Sequence, residues 1–237
     1  PQRMQSDWKT TARFALRQSL GVLFGYVFLG TAFGILLRQA GFGALWALAF
    51  SGLVYAGSLQ FVLAGFLAAP TSLPTVALMS LFINARHLFY GLSFIERFRS
   101  MGKKRPYMIF SLTDETYSVL CGMDEVPAGV DKNGAMFLAA LLDQLYWVAG
   151  SLLGTLAGGL PLDFTGIDFS MTALFLVIFL EQWRGAKSHL PALLGLGCGA
   201  AFLLALGPDH FLPPALCATV ALLLLARPVL SREKEEA

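Results

Sequence analysis

The sequence predicts an all-α fold, a polytopic bundle of transmembrane helices. Two observations carry this. Residues 39–85 contain no Asp, Glu, Lys, Arg or His, a run long enough for two crossings at about 20 residues each. Only 14% of the chain is charged and 56% is hydrophobic, against about 25% charged in ordinary soluble domains. Where charge returns, it comes as Asn84-Ala85-Arg86-His87, still inside an apolar stretch. Ionisable groups at membrane depth are costly and mark a transport path or relay.

The elements follow in order. Residues 1–17 carry Arg3, Lys9, Arg13 and Arg17 against Asp7 alone, which predicts a cytoplasmic tail. No cleavable signal is expected, because the first apolar segment lacks a small-residue cleavage site and more spans follow it. That segment, about Gln18 to Leu37, contains Gly21-x-x-x-Gly25 and Gly30-x-x-x-Gly34, spacings that allow close helix packing. The block from Phe42 to Ala69 is overlong for one span. A third block starts after Pro70 and Pro74 and ends near Phe94, followed by the basic loop Arg97, Arg99, Lys103, Lys104 and Arg105. That cluster is read as a cytoplasmic anchor and not as a nucleic-acid patch.

Tyr107 to Met123 is a weak span with Asp114-Glu115 at its centre, so it faces protein or water, or it is broken. Asn133 to Leu160 is apolar except for Asp143, and carries Gly150-x-x-x-Gly154-x-x-x-Gly158. Phe169 to Trp183, Leu190 to Leu206 and Pro213 to Ala226 are the remaining apolar segments, the last two flanking Gly207-Pro208-Asp209-His210. Residues 227–237 read as a solvated tail. The total is about seven hydrophobic segments in a single transporter domain spanning 1–237, with no room for a soluble domain. Simple alternation of spans would put the basic loop outside, against the positive-inside rule. A broken or re-entrant helix around Ala56-Gly57-Ser58 restores parity, since irregular backbone at depth is tolerated beside a cavity. The two halves share a rough plan, each with a glycine-rich segment and an embedded polar group, as inverted repeats would.

Three polar sets are candidates for function. A Gly57-Ser58 break would free backbone N–H groups that favour a carboxylate, with Ser58 and Gln60 adding donors. A plain helix contact would use the same residues. Asn84 and His87 share a helix face, and Arg86 points about 100° away. Arg86 can clamp a substrate carboxylate, or pair with Asp114, Glu115 or Asp143, or snorkel toward the basic loop. His87 can relay protons or simply hydrogen-bond. Asp114 and Glu115 are proton-coupling candidates, can hold a substrate ammonium, or lie in a loop. Cys121, Cys198 and Cys217 have no paired spacing, and His189, Asp209 and His210 lack metal spacing. No metal or other cofactor is expected. The absence of a P-loop, a dinucleotide fingerprint and a Gly-x-Ser-x-Gly elbow argues against a pump, a redox enzyme or a serine hydrolase.

Tyr55-Ala-Gly-Ser-Leu-Gln-Phe61, Pro70, Ile83-Asn-Ala-Arg-His-Leu-Phe-Tyr-Gly91 and Leu112-Thr-Asp-Glu-Thr116, in this order and spacing, resemble the AzlC family. Tyr146-Trp147 with Gly150 and Gly154, and Gly166-Ile-Asp-Phe169, fit the same pattern. The family comprises large subunits of branched-chain amino acid exporters. The resemblance implies a bacterial inner-membrane permease exporting valine, leucine, isoleucine and, by extension, methionine. It also implies a small membrane partner of the AzlD type. The residue reading adds expected roles: Gly57, Ser58, Gln60, Asn84 and Arg86 for substrate, and His87, Asp114 and Glu115 for proton coupling. The competing readings are a membrane scaffold subunit that does not itself transport, and an intramembrane enzyme.

Overall fold

The computed structural model describes residues 7–69, 71–167, 169–186, 188–208 and 211–235. Pro70, Asp168, Asp209, His210 and residues 1–6, all of which entered the sequence reading, lie outside them, as do Lys187 and residues 236–237. Among the described residues the regular structure is entirely helical.

Helix α1 (Trp8–Gln39) starts inside the stretch read as a tail. Asp7 caps it, accepting from the amides of Lys9 and Thr10 and from the Thr10 hydroxyl at 2.8 Å. The Thr10 hydroxyl bond, then the Lys9 amide, hold the Asp7 carboxyl below its ordinary pKa. Gly41, at φ 91°, lets the chain turn out of α1. Helix α2 (Ala44–Ala49) runs into a π-helical turn (Phe50–Val54), and α3 (Gly57–Ala68) resumes after two non-helical residues. The block from Phe42 to Ala69 is therefore interrupted, at Tyr55 and Ala56.

Helix α4 (Leu73–Arg99) is followed by a 3-10 turn (Gly102–Lys104). The weak span resolves into two short helices, α5 (Arg105–Phe110) and α6 (Asp114–Cys121). Thr113 caps α6 by accepting from the Thr116 amide, and Asp114 and Glu115 occupy its first turn, where the helix dipole favours acids. Capping explains why two adjacent carboxyls sit here. Helices α7 (Lys132–Ala157), α8 (Phe169–Gly185), α9 (Leu190–Leu206) and α10 (Leu212–Glu235) complete the order. α10 extends through most of the residues read as a solvated tail. Three helices, α1, α4 and α7, are long and apolar enough to cross a membrane, and shorter apolar helices accompany them.

The chain divides into two compact units. Residues 1–71 and 83–171 make the first, and residues 72–82 and 172–237 the second. In the second, α9 packs on α10, and Trp183 stacks on His189 at 4.0 Å beside an apolar cleft lined by Phe175, Phe179 and Phe211. The first unit is built on the seam between α1 and α7. The two glycine motifs of α1 differ completely in their surroundings. A Cβ on Gly30 would lie 2.9 Å from the Trp147 carbonyl oxygen, and one on Gly150 would lie 2.7 Å from that of Val27. Gly34 and Gly154 are pressed still closer, against Ser151 and Thr31 backbone. Gly21 and Gly25 have nothing within 4 Å. Only the second motif is a backbone-to-backbone contact, of the kind small residues permit in membranes.

Burial in this unit is distributed as in a membrane protein. Phe24 and Leu53 are each 78% exposed, whereas Ser19, Ser51, Gln60, Thr116, Asp143 and Ser151 are fully buried. Phe94, Phe98, Met108, Leu120 and Met136 form the apolar core at the end of the unit where α4, α5, α6 and α7 meet.

Candidate functional site

The interruption before α3 is held open by side chains. Tyr55 has left-handed backbone angles, φ 42° and ψ 52°, although it is not glycine. Such a residue carries about 1–2 kcal/mol of strain, and it persists only where its surroundings fix it. They do so here. The Tyr55 amide donates to the Phe50 carbonyl at 3.0 Å, and the ring is buried near Phe110. Gln60 reaches back one turn, and its Oε1 accepts from the Ala56 amide at 3.2 Å and from Trp147 Nε1 at 3.0 Å. Its Nε2 donates to Ser51 at 3.2 Å, and Ser51 donates to Ser151 at 2.8 Å. The Gly52 carbonyl accepts from Gln144 at 3.1 Å. The π-turn is thus stitched to α7 by Gln144 and Ser151, and the start of α3 by Trp147.

No side chain caps α3 at Ala56, so the first turn presents backbone N–H groups without a side-chain acceptor. A Cβ on Gly57 would meet the Trp147 ring at 3.3 Å. Ser58, in that first turn, is buried, and its Oγ accepts from Arg86 Nη2 at 2.6 Å. Arg86 Nη1 pairs with Asp114 at 2.8 Å, the two side chains being 27% and 25% exposed. The structure therefore brings Ser58, Arg86 and Asp114 together. It does not bring Gln60 to them, since its amide is committed to the helix break. Asn84 and His87 flank Arg86 on α4, with His87 edge-on to Tyr90 at 5.9 Å. Glu115 accepts from Tyr26 at 2.7 Å.

Several of these groups have unused bonding capacity. Arg86 Nε, Asp114 Oδ1 and Asn84 Oδ1 are buried without a partner. A buried polar atom left unpaired costs about 1–3 kcal/mol, so a polar guest that fills these positions gains that amount back.

The sequence reading missed Tyr26, Ser51, Tyr55, Gln144, Trp147 and Ser151 as parts of this polar interior. One signal was available. Asp143, Trp147, Ser151 and Thr155 recur every fourth residue along one face of α7, and all four are buried. The arrangement as a whole suits a carrier: apolar outside, polar inside, with a charged pair at an interrupted helix.

These features define a multi-pass membrane protein of the transport class. Comparison with known proteins gives the family: residues 21–160 match the AzlC protein family, and the chain belongs to it. It is 41% identical over 221 residues to the branched-chain amino acid transport protein AzlC of Bacillus subtilis, covering 93% of this chain and 87% of that protein. It is 45% identical over 207 residues to an uncharacterized membrane protein of Haemophilus influenzae, covering 86% and 84%. It is 29% identical over 185 residues to the inner membrane protein YgaZ of Escherichia coli, covering 73% of each. No solved structure matches.

Proposed function

We propose that this chain is the large subunit of a two-component permease that exports branched-chain amino acids, with proton coupling and a small AzlD-type membrane partner. The substrate class is supported by the name of the Bacillus subtilis relative. Export and the partner follow from the family resemblance. The observation that carries the site is the Arg86–Asp114 pair with its spare buried atoms beside the uncapped start of α3.

An amino acid is a zwitterion, and it matches an ion pair that can be split. Its carboxylate takes the place of Asp114 on Arg86, aided by Ser58 and the free N–H groups around Gly57 and Ser58. Its ammonium is then held by Asp114, with Asn84 Oδ1 as a further acceptor. One pair becomes two, and no net charge enters the membrane. In the empty state Arg86 and Asp114 neutralise each other, which keeps the empty carrier able to cycle. Gln60 serves as the brace that maintains the helix break. In this reading His87, next to Arg86, and Glu115, next to Asp114, couple proton movement to this exchange. We infer that the interrupted helix is re-entrant.

The test is counterflow in liposomes loaded with valine, leucine or isoleucine, with and without the small partner. Uptake of labelled substrate against the preload, lost in Arg86→Leu and reduced in Ser58→Ala, supports the reading. Absence of counterflow by this chain under both conditions overturns it in favour of a scaffold subunit.

A further inference from the structure

Behind the charged pair, a line of hydroxyls joins two carboxyl groups. Glu115 Oε2 contacts the Tyr26 hydroxyl at 2.7 Å. Tyr26 contacts Thr113 Oγ1 at 2.6 Å. Thr113 contacts Thr116 Oγ1 at 3.1 Å, and Thr116 contacts Asp143 Oδ2 at 2.9 Å. The line crosses from α6 to α1, back to α6, and on to α7. Every hydroxyl in it is buried.

Counting hydrogens decides its protonation. There are four oxygen–oxygen contacts and three hydroxyls to supply them. With both carboxyls ionised, one contact has no hydrogen between its oxygens, and two buried oxygens repel at such distances. With both protonated there is one hydrogen too many. One added proton closes the line. Placed on Glu115, it orients every hydroxyl toward an ionised Asp143. Placed on Asp143, it orients every hydroxyl toward an ionised Glu115. We propose that Glu115 and Asp143 share a single proton, passed between them through Tyr26, Thr113 and Thr116. Each hydroxyl gives up one proton as it receives another, so transfer leaves all three unchanged and only moves the charge from one carboxyl to the other.

An independent observation points to the Asp143 end. Asp143 is fully buried, its Oδ1 has no partner, and the Tyr55 hydroxyl is likewise buried and unpaired. Among the described residues no Lys, Arg or His pairs with Asp143. An isolated buried carboxylate costs several kcal/mol, and a shared proton removes that cost for part of the cycle. The ionisable groups facing Asp143 are Tyr55 at the end of the π-turn, Tyr107 of α5 and Glu115 of α6. α2 contributes none. Those facing Glu115 are Tyr26 of α1, Tyr55, Arg86 and Tyr90 of α4, and its neighbour Asp114. Loading of the Arg86–Asp114 pair, one residue from Glu115, changes the field at that end of the line and so the resting place of the proton. That coupling rests on the carrier reading, whereas the shared proton does not.

Infrared spectroscopy of the purified full chain in lipid, in H2O and D2O, tests it. At neutral pH the wild type should show the carbonyl stretch of a protonated buried carboxyl. Asp143→Asn and Glu115→Gln should each abolish that band, although each leaves the other acid in place. The reason is that the new amide supplies the missing hydrogen and lets the remaining acid ionise. No band in the wild type overturns the proposal. So does a band that survives in either variant, the signature of two independent acids. In liposomes, Thr116→Val should lose pH-gradient drive relative to exchange, and Thr116→Ser should restore it. A Thr116→Val protein with undiminished drive overturns the relay. Failure of wild-type counterflow would defeat the carrier reading and leave the infrared result standing.

Discussion

Replacing Gly150 by alanine should loosen the joint between α1 and α7. The added Cβ would sit 2.7 Å from the Val27 carbonyl oxygen and 3.0 Å from that of Tyr26. Relaxed contacts lie near 3.5 Å, so the helices must part locally by about 0.8 Å. Both obstacles are backbone and cannot rotate away. A gap of that size forfeits roughly a quarter to a half of each contact energy, and overpacking of this kind costs about 1–3 kcal/mol. Alanine returns about 1 kcal/mol through its helix propensity, which leaves a net loss of about 1 kcal/mol. Gly21→Ala is the control. With nothing within 4 Å of it, it keeps the propensity gain of about 1 kcal/mol. The two variants should differ by about 2 kcal/mol, or about 4–8 °C in melting temperature for a chain of this size. Thermal unfolding in one detergent, followed by circular dichroism, measures the difference. Equal melting temperatures would refute the claim that α1 and α7 meet backbone to backbone.

Arg86→Leu should cost about 2 kcal/mol, below the ~3–5 for a fully buried pair, because the partners are about a quarter exposed; wild-type melting and transport would remove Arg86 from the site. Gln60→Leu strands Trp147 Nε1 and the Ala56 amide, and leaves Ser51 with only its bond to Ser151. At about 1–3 kcal/mol per unsatisfied group it should be among the most damaging single changes, visible as lower melting temperature and shifted tryptophan fluorescence. Asp7 has its carboxyl pKa depressed in the folded chain. Its stabilising contribution is therefore complete above the unfolded pKa, about 3.9, and is lost as pH falls through the lower folded value. Asp7→Asn keeps the cap and should flatten the acid limb of the melting curve; an unchanged limb would show that Asp7 does not contribute.

Much of the fold is written in composition. Apolar runs place α7, α9 and α10 within a few residues at their starts, because the bilayer rewards length and hydropathy directly. The helix interruption is signalled by Gly57 and Ser58, yet the residue that takes the left-handed conformation is Tyr55. Nothing local marks a tyrosine for that role, since its conformation is enforced from outside by Phe50, Gln60 and α7. The two glycine motifs of α1 are indistinguishable as strings, and only the partner helix separates the packed one from the open one. Arg86 and Asp114 were recognisable as costly charges needing company. The hydroxyl line was not, because it joins Tyr26 of α1 to Thr113 and Thr116 at the start of α6 and to Asp143 of α7, elements far apart in sequence. Hydroxyl residues in membrane helices more often bond to their own backbone, as Thr31 and Thr155 do here.

The π-turn at Phe50–Val54 has a consequence for how this segment tolerates insertion and deletion. A π-turn is an α-helical turn with one residue too many. Removing one residue between Phe50 and Val54 would heal the wide turn to ordinary α-helical pitch, so that α2 could run on past the point where the chain now leaves the helix at Tyr55. The Tyr55 amide would lose its bond to the Phe50 carbonyl, and the Ser51–Gln60 bond that spans the turn would be strained or lost. A single-codon deletion there should therefore be far more harmful than one in the neighbouring turn Gln39–Gly43, where the chain already leaves helical register. The surplus residue works as a stop, closing the first half-helix at Tyr55 instead of letting it run on into α3.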